Sequence, residues 1–144
     1  MAEPRSWDIL QAAQTRLATI RIAAGYRTDI GARVLLEPAQ YNASDPVVLT
    51  LHSTAIKAGA GDSAARPVRD LEFTAEASVP VSLTDAHHHA HQIVADVQDA
   101  LRDPLALAGH RALPVHWSDV TFLDRPEGLA IIAVQIALTA EYLP

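Results

Sequence analysis

From Leu71 to Val81 apolar and polar side chains alternate without a break. Leu71, Phe73, Ala75, Ala77, Val79 and Val81 share one face; Glu72, Thr74, Glu76, Ser78 and Pro80 share the other. A period of two over that length specifies a half-buried strand, because successive side chains leave opposite faces of an extended backbone. Pro80 withdraws one ladder donor, which places the far end of the strand near its terminus or a sheet edge. The period then changes. Ala86, Ala90, Ile93, Val94, Val97, Ala100 and Leu101 recur at three- and four-residue steps as one apolar stripe, with Thr84 and Asp85 at N-cap positions. Residues 70–101 therefore encode a strand, a corner and a helix that lies back on the sheet. The rest of the chain must supply partners for both.

It does so in a simple order. Ser6 is placed to cap a helix beginning at Trp7, whose stripe runs through Leu10, Ala13, Leu17, Ile20 and Ala24 and stops at Gly25. A polar turn, Tyr26 to Gly31, leads to a first strand over Arg33–Glu37, and Val47–Ser53 reads as a second. Thr54–Arg69 has no clean period and carries Gly59, Gly61 and Pro67. It reads as a long irregular loop, the kind that in a compact domain is functional or disordered. The second helix should end near Arg102, before Asp103-Pro104. Leu113–Trp117 and Val120–Leu123 read as one strand with a bulge near Ser118-Asp119, and Asp124–Gly128 as a turn. The last strand spans Leu129–Tyr142. Both its faces are apolar at the start, so that end should be covered on two sides. The expectation is a single α+β domain over residues 1–144, in the order α-β-β-β-α-β-β, with two helices packed on a mostly antiparallel or mixed sheet.

Composition removes several function classes. The chain has no cysteine, which excludes disulfides, thiolate metal sites and cysteine nucleophiles. Its formal charge of −6 argues against general nucleic-acid binding, which depends on phosphate neutralisation, but suits a surface that DNA must pass without sticking. The N-terminus lacks a basic-then-apolar targeting pattern, and the longest apolar run, Leu129–Val134, is too short to span a bilayer, so no membrane association is expected.

The most conspicuous polar feature is His87-His-His-Ala-His91. His87 and His91 lie one helical turn apart, a spacing that can hold a metal, but no His-Glu-x-x-His pattern accompanies them. The stripe places His88 and His91 away from the core, with His87 and His89 flanking it. A solvated or interface-facing helical turn is the expected reading; a metal-dependent enzyme using this turn is the remote alternative. No Gly-x-Ser-x-Gly elbow is present. Gly59 and Gly61 lack the Lys-Ser/Thr of a phosphate cradle. Tyr26, Thr28 and Asp29 are expected to be turn chemistry, with the Asp or Thr side chains satisfying backbone donors. Trp7 and Trp117 suit core or interface anchors, and Arg66 and Arg69 suit exposed interface charges or a solvated loop. No catalytic residue, cofactor or metal ligand is expected.

The segment Leu17-Ala-Thr-Ile-Arg-Ile-Ala-Ala-Gly-Tyr-Arg-Thr-Asp-Ile-Gly-Ala-Arg-Val34, and above all Gly25, Tyr26, Thr28, Asp29 and Gly31 within it, resembles the N-terminal region of tail terminator (tail completion) proteins of long-tailed bacteriophages and prophages. The likeness continues in outline through the sheet, the second helix and the closing hairpin; the histidine run departs from it. The resemblance implies a virion structural protein, assembled in the host cytoplasm and located at the head-proximal end of the tail. There it would form a homo-oligomeric ring, a hexamer, that caps the tube, stops its polymerisation and offers a joining surface to the head-tail connector or stopper. Its partners would be the tail tube protein and that connector, and DNA would pass its channel without specific binding. A head-completion or stopper protein, or another neck component, is the alternative. Lys57, Gly59, Gly61, Asp62, Arg66 and Arg69 are the expected contact loop, to a neighbouring subunit or the tube.

Overall fold

Among the described residues, apolar faces of two helices and five strands meet in one core. The computed structural model describes residues 3–36, 47–80, 85–107, 109, 111–123 and 131–144. Helix α1 spans Arg5–Leu17, followed by short 3-10 turns at Ile22–Ala24 and Ile30–Ala32. Strand β1 is Val34–Leu35, β2 Leu49–Ala58 and β3 Arg69–Pro80; α2 is Ala86–Ala100; β4 is Val115–Leu123 and β5 Ile131–Tyr142. The sheet order is β1-β2-β3-β5-β4, with β1 parallel to β2 and every other pair antiparallel. The expected order of elements and the mixed sheet are as found.

The alternation in β3 sets the architecture. Leu71, Phe73, Ala75, Ala77 and Val79 are buried, and they face the same core as Val134, Ile136, Leu138, Ala140 and Tyr142 of β5. Ile9, Leu10, Ala13 and Leu17 of α1 and Ala90, Ile93 and Val97 of α2 cover that side. Helix α1 also closes the C-terminus of α2: the Arg16 guanidinium donates to the carbonyls of Ala100 (3.1 Å), Asp103 (2.9 Å) and Pro104 (2.9 Å). Of these acceptors Ala100 O is one of the terminal carbonyls that a helix leaves without an intrahelical donor, and Asp103 and Pro104 lie in the segment that follows the helix. The start of β5 is buried on both faces, through Ile131, Ala133 and Val134, as its composition implied. The bulge in β4 falls between Trp117 and Asp119, at the expected place.

Several boundaries differ from the sequence expectation. Helix α1 begins at Arg5, behind Pro4, so Ser6 lies in the first turn and does not cap it. It ends at Leu17 rather than Ala24, because the chain tightens into three-residue hydrogen bonds, Thr19 N to Arg16 O (3.1 Å) and Ile20 N to Leu17 O (3.1 Å). Gly25 still terminates a helical turn, but that of Ile22–Ala24, at φ 98°. The first strand is shorter than Arg33–Glu37, and Glu37 lies outside the described residues. Asp85 occupies the N-cap position of α2 with φ 64° and makes no side-chain capping bond. Thr84, Val81, Leu129, Ala130 and the 124–128 turn lie outside the described residues.

The largest correction concerns Thr54–Arg69. Its first part continues β2 to Ala58, paired to β3 through Ala55↔Glu72, Ile56↔Leu71 and Ala58↔Arg69, after a bulge between Ser53 and Ala55. The segment was aperiodic because both faces of this outer half-strand are largely exposed, so no burial pattern marks its side chains. What remains outside the ladder is residues 59–68, a hairpin tip rather than a long irregular loop.

Candidate functional site

The turn that carries the family-like residues is held from outside by α2. The Asp96 side chain is fully buried, and its carboxylate gathers four donors. One oxygen accepts from the Thr28 main chain (2.8 Å) and the Thr28 hydroxyl (2.7 Å). The other accepts from the Arg27 main chain and its guanidinium, both at 3.1 Å. The same guanidinium donates to Asp99 at 2.9 Å, and Arg102 donates to the other Asp99 oxygen at 2.7 Å. The Arg27 pKa is raised above its already high ordinary value, first by the hydrogen bond to Asp99 and then by that to Asp96. Asp29 works within the turn, its carboxylate accepting from Ile22 N at 2.8 Å. Tyr26 packs half-buried against the core. Gly31 is sandwiched against α1: its amide donates to Ile20 O at 3.1 Å, and a Cβ there would lie 2.5 Å from Leu17 O. Gly25, Tyr26, Thr28, Asp29 and Gly31 are thus brought together as turn chemistry. Sequence reasoning missed Asp96, which the turn depends on. Its signal was a carboxylate within the apolar stripe of α2, where an unpaired acid would be costly.

The expected contact residues lie along one hairpin. Lys57 is on β2 and pairs with Glu72 of β3 at 3.0 Å. The tip is internally bonded: Gly59 N donates to Val68 O (2.9 Å), Asp62 N to Gly59 O (3.1 Å), and Arg66 N to Ser63 O (3.2 Å). The Asp62 carboxylate accepts from Val68 N at 2.8 Å. Gly59 is buried, and a Cβ there would meet the Val68 side chain at 2.7 Å; Gly61 adopts φ 79°. Arg66 is exposed at the tip, while Arg69 is half-buried at the start of β3. The hairpin therefore projects Lys57, Gly61, Asp62 and Arg66 together, with Arg69 at its base.

His87, His88 and His91 are exposed and His89 is half-buried. The rings of His87 and His91 lie 4.8 Å apart, and both approach Phe122 of β4, at 5.8 and 4.5 Å between centroids. Among the described residues no group of three or more His, Cys, Asp or Glu could hold a metal ion. Strand β4 is only partly covered: Val115 and Val120 pack against the core, whereas Trp117 is 54% exposed although its row neighbour Leu138 is buried. Trp7, by contrast, packs half-buried against the core. The sheet face opposite the helices carries Asp70, Glu72, Glu76, Asp119 and Glu141, with Lys57 among them. No helix among the described residues is long and apolar enough to cross a membrane.

No family model matches the chain, and no curated protein matches it in sequence. Among solved structures, it is similar to a chain from the virion of a native gene transfer agent (GTA) particle. The TM-score is 0.65 at 13% identity, over 93% of this chain and 93% of that one. At this identity the likeness is one of fold.

Proposed function

We propose that this chain is a structural protein of a phage-like virion and acts there as a tail terminator, without catalytic activity. The observation that carries the reading is the fold likeness to a virion chain across nearly the full length of both proteins. The resemblance of the Gly25–Gly31 turn to tail terminators supports the proposed position within the particle. In this reading copies of the chain close into a hexameric ring on the head-proximal end of the tail tube. The ring stops tube growth and presents the joining surface to the head connector. The hairpin, with Lys57 on its β2 arm and Gly61, Asp62 and Arg66 at its tip, reaches the tube or the next subunit. The acidic face of the sheet, with Asp70, Glu72, Glu76 and Glu141, faces passing DNA, where like charge keeps phosphate from binding.

The test is to add the purified protein to tube protein in the course of polymerisation and follow length by electron microscopy. The proposal expects tubes that stop growing and carry a ring of density at one end. Tubes that grow unchecked with the protein bound nowhere on them would overturn it. Tubes unaffected while isolated head portals acquire the protein would move the function to the head side of the joint.

A further inference from the structure

The two edges of the sheet match each other. On one side, β1 pairs with β2 only at Leu49 and Thr50, so among the described residues Leu51 to Ala58 is open. On the other side, β4 has no partner beyond β5 among the described residues. Unpaired edges of this length are templates for another strand. The open parts lie level with one another. Across the sheet, Val115, Ala140, Leu71 and Ile56 form one row, and Trp117, Leu138, Phe73 and Ser53 another. Asp119, Ala137, Thr74 and His52 form a third, on the opposite face. The segment of β4 from Val115 to Asp119 therefore lies level with the segment of β2 that β1 leaves free.

Direction, shape and chemistry agree as well. The strands β2, β3, β5 and β4 alternate in direction, so β4 runs opposite to β2. A second copy related by rotation about an axis along the strands would set its β2 antiparallel beside β4. Both edge strands bulge beside the same Phe73–Leu138 row, β2 between Ser53 and Ala55 and β4 between Trp117 and Asp119. Bulges bend and twist a strand, so edges bent at the same level can follow each other. On the helix side each edge exposes a large apolar residue, Trp117 at 54% and Ile56 at 52%, in adjacent rows. On the other face Asp119 would come level with His52 of the copy, an acid beside an imidazole.

We propose that β4 of one copy pairs antiparallel with the outer half of β2 of the next, extending one sheet from subunit to subunit. The contact is heterologous, the type that closes a ring when its rotation permits. It rests on the ring proposed above for its closure and supplies the surfaces that form it. The edge bulges then also limit promiscuous pairing, since a flat edge would accept any strand.

The absence of cysteine makes the test direct. Ile56→Cys and Val115→Cys are made separately and mixed at high concentration under mild oxidation. Within one chain the two sites are three strand spacings apart, about 14 Å at ~4.8 Å per strand, beyond the roughly 7 Å Cα separation a disulfide tolerates. The proposal expects covalent dimer in the mixture, several-fold above either variant alone, and a ladder of larger oligomers from the double variant. Ile22→Cys, at a residue 58% exposed and on neither edge, gives the collision background when mixed with Val115→Cys. Ser53→Cys with Trp117→Cys replaces the first pair if either variant fails to fold. Linkage no greater than that background, or linkage of Val115→Cys to itself in preference, would overturn the proposal. Tube termination that persists without these links would sink the interface alone. Links without termination would sink the terminator reading alone.

Discussion

Asp96 and Thr28, separated by 68 residues in the chain, share two hydrogen bonds of 2.8 and 2.7 Å in the buried core. This pair ties the turn before β1 to the middle of α2. Removing the carboxylate strands the Thr28 amide and hydroxyl away from water, at roughly 1–3 kcal/mol for each donor left unpaired. Asp96→Ala is expected to lower the unfolding free energy by about 3 kcal/mol in urea titration. Asp96→Asn keeps one acceptor oxygen and should lose less. An Asp96→Ala protein as stable as the parent would show that the turn is held by something else.

Two glycines of the same turn should respond differently. At Gly31 an added Cβ would lie 2.5 Å from Leu17 O and 2.6 Å from Ile20 O, both main-chain atoms that no rotamer change can move. Gly31→Ala is expected to cost about 3 kcal/mol or more, the upper range for overpacking. At Gly25 a Cβ meets nothing within 4 Å, and only the left-handed backbone at φ 98° resists substitution. Gly25→Ala should therefore cost about 1–2 kcal/mol. Thermal melts of the two variants read the contrast, and equal losses would contradict it.

Arg27 sets a pH expectation. Its pKa is raised in the folded state by Asp99 and then Asp96. A raised cationic group contributes stability that is complete below its unfolded pKa and is lost only as pH rises through the folded value. Both values lie far to the alkaline side of neutrality. The stability difference between the parent and Arg27→Ala should thus be flat from about pH 6 to pH 9, where arginine does not titrate. Because Arg27 is half-exposed, added salt should shrink the difference. A difference that changes steeply with pH in that window would assign it to another group.

The hairpin tip separates folding from contact. Asp62→Ala removes the acceptor for Val68 N and should cost about 0.5–1.5 kcal/mol, the net value of one hydrogen bond. Arg66→Glu touches an exposed side chain and should leave stability within about 0.5 kcal/mol. In the tube-polymerisation assay Arg66→Glu is nonetheless expected to weaken capping, because the tip is the proposed contact. Full capping by Arg66→Glu, and by a folded variant lacking residues 60–66, would remove the tip from the interface.

The elements whose burial follows a period were legible in the sequence. The alternation through Leu71–Val79 and the stripe from Ala90 to Ala100 are both found, because each buries one face against a single core. The outer half of β2 was not legible. Ile56, Lys57 and Ala58 are all exposed, and only their pairing with β3 makes them a strand. The end of α1 was hidden for the opposite reason: Ile20 remains buried after the chain has left the helix, so the stripe outlasts the structure. In the site, the turn residues were visible as a polar cluster, but Asp96 was masked by its apolar neighbours Ile93, Val94 and Val97. A charge on a buried helical face predicts a partner without saying which one. The matching of β4 with β2 needed the register of the strands between them, which no local pattern encodes.

The central claim is that this protein ends the tail tube, and tail length tests it most directly. Particles produced in the absence of this gene are measured by negative-stain electron microscopy. The account predicts headless tubes much longer than normal and widely distributed in length, restored to uniform length by supplying the gene in trans. Tails of normal length, whether beside unjoined heads or in intact particles, would contradict it.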